Sequence, residues 1–327
     1  MRPLTFGVLL SVGPAKSGTD PGPATTHRAD RELEARIDLR SASDLVAALR
    51  ELGHQARVLA ADEDLDLGLR SADVDACLLA LHGRKGGAGD VQALLSVRGI
   101  PYAGPSAAAT ALAFDKVRAR QMLAYHNVPV LPAVALGKDL KASERALALL
   151  GWPCYVKPRR GAHGLGVTPL TDIEQVREAI ERALDLDREI VLERAAEGTE
   201  VQVVMLGERV LGAVELVGRD GHMDGDIVCP PRLARGRMAG IENLARRTVA
   251  ALGLYDGLTR VDLLVHDRHN EVVLEAEPLP TLARDGVVAR VAKATGLSYE
   301  ALVSELVDRL VLRVPETWAA QSAVQLQ

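Results

Sequence analysis

The feature that most constrains the fold of this chain is the alternation of short apolar runs with helical segments along its first hundred residues. Apolar runs at Leu4–Leu10, Ala56–Leu59 and Ala76–Leu81 have the length of buried strands. Helical patterns lie between and after them, and one of these covers Asp90–Arg98. Strands that alternate with helices form a parallel sheet with helices packed on it. The sequence therefore predicts a Rossmann-like α/β fold for this part of the chain.

The segment after the first strand has a different composition. Ser11–Glu32 is rich in Gly, Pro, Thr and Ser, which predicts a loop or an inserted segment. Ser43 is predicted to cap the following helix, which carries Leu45 and Leu49 on its apolar face and ends at Gly53.

The pattern changes after a helix predicted over Asp115–His126. Two pairs of apolar runs follow, and a short turn joins the members of each pair. The first pair is Glu200–Leu206 with Arg209–Leu216, and the second is Leu258–His266 with Glu271–Glu275. Runs joined in this way predict antiparallel hairpins.

Helices are also predicted around these hairpins. Thr171 and Glu174 have the spacing of a capping box, and the helix that would follow carries Ile173 and Ile180 on its apolar stripe. Further helices are predicted over Ile241–Leu252, Val287–Ala294 and Leu302–Leu312.

Composition limits the classes of function. A chain of 327 residues is long enough for two or three domains. Its net charge of −5 argues against a nucleic-acid partner. The cysteines Cys77, Cys154 and Cys229 are far apart and form no CxxC pair, which favours a reducing compartment such as the cytoplasm over a disulfide framework. No apolar stretch approaches the roughly 18 residues of a membrane span, so no membrane partner is expected.

A basic, glycine-rich segment is the first candidate for chemistry. Lys157 lies on a predicted strand, Pro153–Pro158, which is followed by two arginines and three glycines, among them Gly164 and Gly166. Glycines let backbone N–H groups approach phosphate oxygens, and a lysine neutralises their charge. The segment is neither a Walker A loop nor a dinucleotide-binding G-x-G-x-x-G motif. Polyphosphate binding and a basic surface hairpin both fit it.

Acidic residues at the ends of two adjacent strands are the second candidate. Asp262 lies on one strand, and Glu275 and Glu277 lie on the same face of the next. Hard carboxylate oxygens beside nucleotide phosphates are ligands for Mg²⁺. Arg260 is placed to stabilise a transferring phosphoryl group or an oxyanion. The alternative is a solvated acidic edge with ion pairs.

Three further side chains carry weaker signals. Glu193 and Glu200 lie near strand ends, where a carboxylate accepts hydrogen bonds from ribose hydroxyls or an adenine amine, although such residues are often simply exposed. His82 follows the strand Ala76–Leu81, and α/β proteins bind ligands at the carboxyl ends of their strands. A structural histidine is the alternative there.

Short motifs run in a recognisable order through these candidates: Leu-His-Gly-Arg, Ile-Pro-Tyr-Ala-Gly, Ala-Phe-Asp-Lys, Val-Lys-Pro-Arg, Glu-Gly-Thr-Glu, Val-Cys-Pro-Pro and Arg-Val-Asp. In order and spacing they resemble the D-alanine–D-alanine ligases, a branch of the ATP-grasp superfamily, over residues 81–310. The resemblance implies a Rossmann-like domain over 1–114, a two-part ATP-grasp fold over 115–206 and 207–315, and a tail over 316–327.

The resemblance also implies an activity. ATP with Mg²⁺ phosphorylates an amino-acid carboxylate, an amine attacks the acyl phosphate, and an amide forms with release of ADP and phosphate. A small-molecule amino acid (D-alanine or another), a place in peptidoglycan and cell-wall biosynthesis, a cytoplasmic site and a homodimer are the corresponding expectations.

The resemblance further implies residue roles. The nucleotide lysines are Lys116 and Lys157; the adenine-side and ribose carboxylates are Glu193 and Glu200; the glycine-rich loop contains Gly164 and Gly166; the metal ligands are Asp262, Glu275 and Glu277; the residue that stabilises the transferring phosphoryl group is Arg260; the first-substrate histidine is His82.

This sequence departs from the family pattern on the amino-acid and lid side. Glu277 stands where the family has a metal-binding asparagine, and His163 stands where it has a serine. Thr281 and Gly286 replace a glycine and a serine that contact the reacting groups, and Arg36 falls at the position of a substrate-binding glutamate. The loop Val217–Val228 also lacks a lysine and a tyrosine. Two hypotheses follow: an active carboxylate–amine ligase, or a catalytically impaired paralogue that binds nucleotide and acts as a scaffold or regulator.

Overall fold

The computed structural model describes residues 3–11, 25–137, 140–162, 164–218, 226–266 and 268–310. The chain divides into two compact units. The first unit contains residues 1–110, 256–258 and 279–327, and the second contains residues 111–255 and 259–278.

A four-stranded parallel sheet forms the centre of the first unit. Its strands, in the spatial order β2-β1-β3-β4, are β1 (Thr5–Leu10), β2 (Gln55–Ala60), β3 (Ala76–Ala80) and β4 (Tyr102–Ala103). The helices between and after them are α1 (Thr25–Glu51), α2 (Leu65–Ala72), α3 (Gly83–Gly87), α4 (Asp90–Arg98) and α5 (Ala107–Phe114). The predicted Rossmann-like sheet is confirmed, because each parallel pair is connected through a helix.

The start of helix α1 differs from the prediction. The helix begins at Thr25, so a loop through Glu32 and a cap at Ser43 are both wrong, while residues 12–24 lie outside the described part of the chain. Good helix formers such as Ala, Glu, Leu and Arg already dominate once the Gly/Pro tract has ended, and they extend the helix backwards. Leu45 and Leu49 are fully buried, as their spacing predicts.

The second unit begins with a four-stranded antiparallel sheet and its helices. Its elements are α6 (Lys116–Tyr125), β5 (Ala133–Leu136), α7 (Leu140–Leu150), β6 (Cys154–Pro158), β7 (Thr168–Leu170), α8 (Val176–Leu186) and β8 (Ile190–Arg194). The strand order is β5-β8-β6-β7. Apolar side chains of α7 and α8 pack on this sheet and form its core.

The predicted capping box before α8 is wrong. The side chain of Asp172 accepts hydrogen bonds from the backbone N–H groups of Glu174 and Gln175 at 2.9 and 3.3 Å, which makes a turn instead of a helical start. The helix begins only at Val176, and Ile173 is 56% exposed instead of lying on the apolar stripe.

A five-stranded sheet completes the second unit. It consists of β9 (Thr199–Leu206), β10 (Arg209–Val217), β11 (Asp226–Val228), β12 (Leu258–Val265) and β13 (Val272–Glu277), in the order β11-β10-β9-β12-β13. Both predicted hairpins are confirmed as antiparallel pairs. Helix α9 (Arg235–Leu252) packs on this sheet and starts earlier than its predicted first residue, Ile241.

Two helices return the chain to the first unit. Helix α10 (Val287–Ala294) has its predicted bounds, and α11 (Tyr299–Val307) begins after Ser298, whose hydroxyl accepts a hydrogen bond from the N–H of Ala301 at 3.1 Å. Within the described residues no helix has the length and apolarity needed to cross a membrane. The predicted division into three domains and a tail stays a prediction.

Candidate functional site

The candidate site is a cleft of about 450 Å³, open to solvent, in the second unit. Its walls come from the end of α5, from α6, from the glycine-rich turn after β6 and from the end of β13. The lining residues are Ala113, Phe114, Lys116, Ala119, Arg120, Leu123, Gly161, Leu274, Glu275, Ala276, Glu277 and Pro278. One wall therefore carries cations and the other carries carboxylates.

A buried trio of charges joins Arg120 of the cationic wall to Lys157 and Glu193. Strands β6 and β8 pair with Tyr155 opposite Glu193, so Lys157, two residues further on, projects from the same face of the sheet as Glu193. Lys157 Nζ donates to Glu193 Oε1 at 2.6 Å, and the guanidinium of Arg120 pairs with Glu193 Oε2. Glu193 is 1% exposed. A buried carboxylate is stable there because each of its oxygens faces a cation.

Arg120 is the member of this trio that the sequence analysis missed. It lies four residues after Lys116 on α6, a spacing that puts two side chains on the same side of a helix. This four-residue spacing was the signal in the sequence that pointed to Arg120. It could not show that Arg120 pairs with Glu193 on a distant strand.

The crowding of cations changes their proton affinities. Burial, with the charges of Arg120 and Lys116, lowers the pKa of Lys157 to about 7, although Glu275 and Glu200 favour its ammonium form. Burial also lowers the pKa of Arg120 to about 10. The ammonium of Lys157 is therefore held less firmly than that of an exposed lysine, in spite of its pair with Glu193, and additional negative charge would stabilise it.

Lys116 is held at the start of α6 against the glycine-rich turn. The side chain of Asp115 caps this helix by accepting from the N–H groups of Val117 and Arg118, both at 3.1 Å. Lys116 Nζ donates to the carbonyl oxygen of Gly161 at 2.7 Å. The helix start and the turn thus form one cationic surface.

The glycine-rich turn needs two of its glycines for different reasons. Gly166 has φ +69°, and a Cβ there would lie 2.8 Å from Pro158 Cγ and 2.5 Å from Leu186 Cδ1. Gly164 has φ +71° but faces open space, which leaves its backbone accessible. His163 lies outside the described residues.

The carboxylate wall is built on the β12–β13 hairpin. Asp262 lies opposite Glu275, and Arg260 lies opposite Glu277. Arg260 donates to the two oxygens of Asp262 at 2.7 and 2.8 Å, and its guanidinium is 3.8 Å from Glu275. The guanidinium thus neutralises the buried Asp262 and approaches the half-exposed Glu275.

Glu200 joins this wall through the neighbouring strand. On β9, the side-chain amide of Gln202 donates to Glu200 Oε1 at 3.3 Å and to Asp262 Oδ2 at 3.2 Å. Gln202 therefore connects the predicted ribose carboxylate with a predicted metal ligand.

The two walls act on each other electrostatically. Burial disfavours the ionised form of Glu275, but Lys116, Arg260 and Lys157 outweigh it and hold the pKa of Glu275 below its usual range. Burial raises the pKa of Asp262 to about 7 against the opposing effect of Arg260. The lysine-bearing strand and the carboxylate-bearing strand, distant in sequence, thus share one electrostatic environment.

The acidic side chains of this wall are candidate ligands for a divalent cation. Oxygen-only donors on adjacent strands are the chemistry that Mg²⁺ requires. Within the described ranges, however, no three His, Cys, Asp or Glu side chains are grouped closely enough to hold a metal ion. The residues fit Mg²⁺ in kind, and phosphate oxygens of a nucleotide are the ligands that would complete the set.

His82 lies in the first unit and is 5% exposed. Its Nδ1 is 2.5 Å from Asp38 Oδ1 of helix α1. Asp38, also missed from sequence, is fully buried.

Among the departures from the family pattern, Gly286 is the N-cap of α10 without a side-chain cap.

Comparison with known proteins supports the same family. Residues 123–308 match the model of the D-alanine–D-alanine ligase C-terminus. A D-alanine–D-alanine ligase of Gloeobacter violaceus is 32% identical over 289 residues, which cover 84% of this chain and 95% of the relative. Another, of Geotalea uraniireducens, is 31% identical over 294 residues, covering 86% of this chain and 94% of the relative.

Solved structures agree in fold. A D-alanine–D-alanine ligase from Bacillus anthracis, complexed with ATP, superposes with a TM-score of 0.78 at 23% identity, covering 94% of this chain and 97% of that one. The VanG D-Ala:D-Ser ligase of Enterococcus faecalis superposes with a TM-score of 0.76 at 20% identity, covering 94% and 99%. These likenesses confirm the expected ATP-grasp architecture. With the matched family model and relatives at 31–32% identity over most of the chain, they lead to one conclusion: the protein belongs to the D-alanine–D-alanine ligase family.

Proposed function

We propose that this chain is an ATP-dependent carboxylate–amine ligase that activates D-alanine as an acyl phosphate and joins it to the amine of a second amino acid. The observation that carries the proposal is a cleft in which Lys116 and Arg120 face Glu275 and Glu277, with Lys157 held behind them. A cleft with one cationic and one acidic wall suits a polyphosphate with its divalent cation.

The cationic wall is assigned to the nucleotide. Lys116 and Lys157 are the proposed residues that neutralise phosphate oxygens, and the open backbone at Gly164 and the turn at Gly166 support the approach of N–H groups. Glu193 is proposed for the adenine side and Glu200 for the ribose. In addition, Glu193 keeps Lys157 and Arg120 in position through its two ion pairs.

The acidic wall is assigned to Mg²⁺, which neutralises phosphate charge when bound. Asp262, Glu275 and Glu277 are the proposed ligands. Arg260, held by Asp262, is the proposed residue that stabilises the negative charge developing on the transferring phosphoryl group. In the first step the carboxylate oxygen bonds to the γ-phosphorus as its bond to ADP breaks. In the second step the amine nitrogen bonds to the carbonyl carbon as phosphate leaves, and the nitrogen loses a proton.

The first amino acid is assigned to His82, and the second to the segment that contains Thr281 and Gly286. Because Gly286 offers no side chain to a carboxylate, the identity of the second amino acid is the open part of the proposal. D-Serine belongs among the candidates, since the structurally similar VanG enzyme is a D-Ala:D-Ser ligase.

Phosphate release with Mg-ATP and a panel of D- and L-amino acids, singly and in pairs, tests the proposal. We expect release that depends on D-alanine and a dipeptide of matching mass. Arg260→Met is the matched variant, because it removes the charge that stabilises the transferring group and keeps an unbranched side chain. It should lower turnover by about a hundredfold or more.

Other outcomes would contradict the proposal. Binding of ATP without turnover for every amino acid would instead describe the impaired nucleotide-binding paralogue. Turnover in Arg260→Met equal to that of the parent would remove Arg260 from the reacting centre.

We further infer a homodimer working in the cytoplasm. Family resemblance supports the homodimer, and the consumption of ATP supports the cytoplasmic location. Sedimentation velocity of the full chain tests the homodimer, and fractionation of its host cells tests the location. A monomer or a periplasmic location would contradict these inferences.

A further inference from the structure

A buried carboxylate ties the start of helix α6 to the segment that follows strand β6. Asp115 directly precedes Lys116 and is 7% exposed. Its Oδ1 accepts hydrogen bonds from the backbone N–H groups of Val117 and Arg118, both at 3.1 Å, and so caps the helix. The cap leaves Oδ2 without a donor from the helix, and a carboxylate that is buried without a cationic partner is unfavourable.

Two consecutive arginines after β6 supply the cationic partners. Arg159, whose side chain is 12% exposed, donates from Nε to Oδ1 and Oδ2 of Asp115 at 2.8 and 3.0 Å. Arg160 donates from Nη2 to Oδ2 at 3.2 Å. Burial disfavours the ionised form of Asp115, but its hydrogen bonds and the charges of both arginines hold the pKa of the carboxyl below its usual range. Asp115, Arg159 and Arg160 thus form a latch between the helix and the segment after the strand.

The latch lies between the two lysines that we propose for phosphate binding. Lys116 comes one residue after Asp115 on α6, and Lys157 comes two residues before Arg159 on β6. The backbone strengthens the connection, because the N–H of Lys116 donates to the carbonyl oxygen of Arg159 at 3.1 Å. The separation of the two lysines therefore depends on the contact between two different elements, and the latch is what fixes that contact.

We propose that Asp115 is a positioning residue, which through the latch holds Lys116 and Lys157 at the separation that lets both ammonium groups reach one polyphosphate. The role of the two lysines rests on the proposed function, and the latch itself rests on the described contacts. A site that is fixed before its ligand arrives binds more tightly, because less conformational freedom is lost on binding.

The variant Asp115→Asn separates the latch from the helix cap. The side-chain oxygen of asparagine can still accept from the N–H groups of Val117 and Arg118, so the cap is kept. Its NH₂ group takes the place of Oδ2 and faces the N–H groups of Arg159 and Arg160, and two donors cannot bond to each other.

The sign of the effect distinguishes positioning from simple attraction. Asp115→Asn removes a negative charge close to the cleft, whose lining includes the residues on either side of position 115. By attraction alone, this loss would strengthen the binding of a polyphosphate. Positioning predicts the opposite result, which is weaker binding.

Isothermal titration of the full chain with Mg-ATP measures the effect. We expect Kd to rise by about tenfold in Asp115→Asn, which is the lower end of the loss that follows removal of a hydrogen bond to a charged group. Glu189→Gln is the matched control, because Glu189 accepts from Nη1 of Arg159 at 2.6 Å and the variant leaves Asp115 in place. Kd should change by less than about twofold in this control, since Glu189 is half-exposed and its ion pair is screened by solvent.

A double-mutant cycle with Lys116→Met shows whether the effect passes through the lysine. If Asp115 positions Lys116, adding Asp115→Asn to Lys116→Met should change Kd by less than about twofold, because the positioned group is then absent. A merely structural role would instead weaken binding by the same factor in both backgrounds.

The proposal is overturned if folded Asp115→Asn binds Mg-ATP as tightly as the parent protein, or if its loss is equally large without Lys116. If Asp115→Asn does not fold, Arg159→Gln breaks the latch from the other side and keeps the cap, and the same cycle then decides. Binding of ATP needs no turnover. A chain that binds Mg-ATP but ligates no amino acid would defeat the proposed function, while the binding cycle would still decide the role of Asp115.

Discussion

At the scale of single residues, the role that we propose for Lys157 in nucleotide binding depends on its charge. Its ammonium pairs with Glu193 at 2.6 Å in a position that is 17% exposed. Arg120 pairs with the same carboxylate, so the cations of the wall already share their counter-charge. A polyphosphate supplies the additional negative charge that such a wall favours.

Lys157→Ala is expected to weaken ATP binding by roughly tenfold to a hundredfold, because a hydrogen bond to a charged group contributes about 1.5–3 kcal/mol. Isothermal titration with Mg-ATP measures this change. Lys293→Ala, a charge removal on the exposed surface of α10, is the matched control and should leave the affinity unaltered. Equal affinities for both variants would remove Lys157 from the nucleotide site.

The same residue predicts a pH dependence. The pKa of Lys157 is lowered to about 7, so the amine is increasingly neutral as pH rises above that value. Phosphate oxygens prefer the ammonium form, and binding above pH of about 7 must therefore take up a proton. ATP affinity should fall by about tenfold per pH unit from there to the higher pKa of the bound state. Calorimetric titrations in buffers of different ionisation enthalpy measure how many protons are taken up when ATP binds. Lys157→Ala should abolish this proton uptake.

At the scale of elements, the glycine-rich turn after β6 combines a packing constraint with an open surface. Gly166→Ala places a methyl group 2.8 Å from the ring of Pro158 at a positive φ, and we expect a loss of about 2 kcal/mol or more in the free energy of unfolding. Gly164→Ala has nearly the same φ but meets nothing within 4 Å, so about 1 kcal/mol is expected.

Urea titrations of the two variants make the comparison. The difference between them isolates the steric part, since the backbone strain is shared. Equal losses would mean that Pro158 and Leu186 yield freely to the added methyl group.

At the scale of the whole molecule, Arg284 joins distant parts of the chain within the first unit. Its guanidinium is 2.5 Å from Glu300 and 3.8 Å from Glu51, and it lies over the ring of Tyr299 at 4.4 Å. Its backbone N–H donates to Asp44 at 2.8 Å. One residue thus contacts α1 near the amino terminus and α11 near the carboxyl terminus.

Arg284→Ala is expected to lower the free energy of unfolding by about 1 kcal/mol, because the side chain is partly exposed and its ion pairs are screened by solvent. Arg309→Ala is the matched control, since Arg309 has similar exposure and its guanidinium lies 4.0 Å from Glu305, four residues earlier in the chain. Urea titrations at low and high salt measure both. A loss no larger than that of the control would show that Arg284 adds nothing to the unit.

Helix α1 and the turn before α8 mark where sequence patterns fail at this scale. A Gly/Pro-rich composition identifies a break, but the residue where the helix resumes depends on propensities averaged over several turns. Thr171 and Glu174 have the spacing of a capping box, yet Asp172 competes for the same backbone donors. Local alternatives of nearly equal energy are resolved by the surrounding packing.

The sequence alone was sufficient for the parallel sheet, both hairpins and the family, because each rests on local periodicity or on residues at fixed spacing. It also predicts that Lys157 and Glu275 belong to one nucleotide site, and this stays a prediction. The ion pair Arg120–Glu193 and the close contact between Asp38 and His82 required the folded chain. Each joins a helix to a strand segment more than forty residues away, and burial from solvent, which gives such pairs their strength, arises only when these elements pack together.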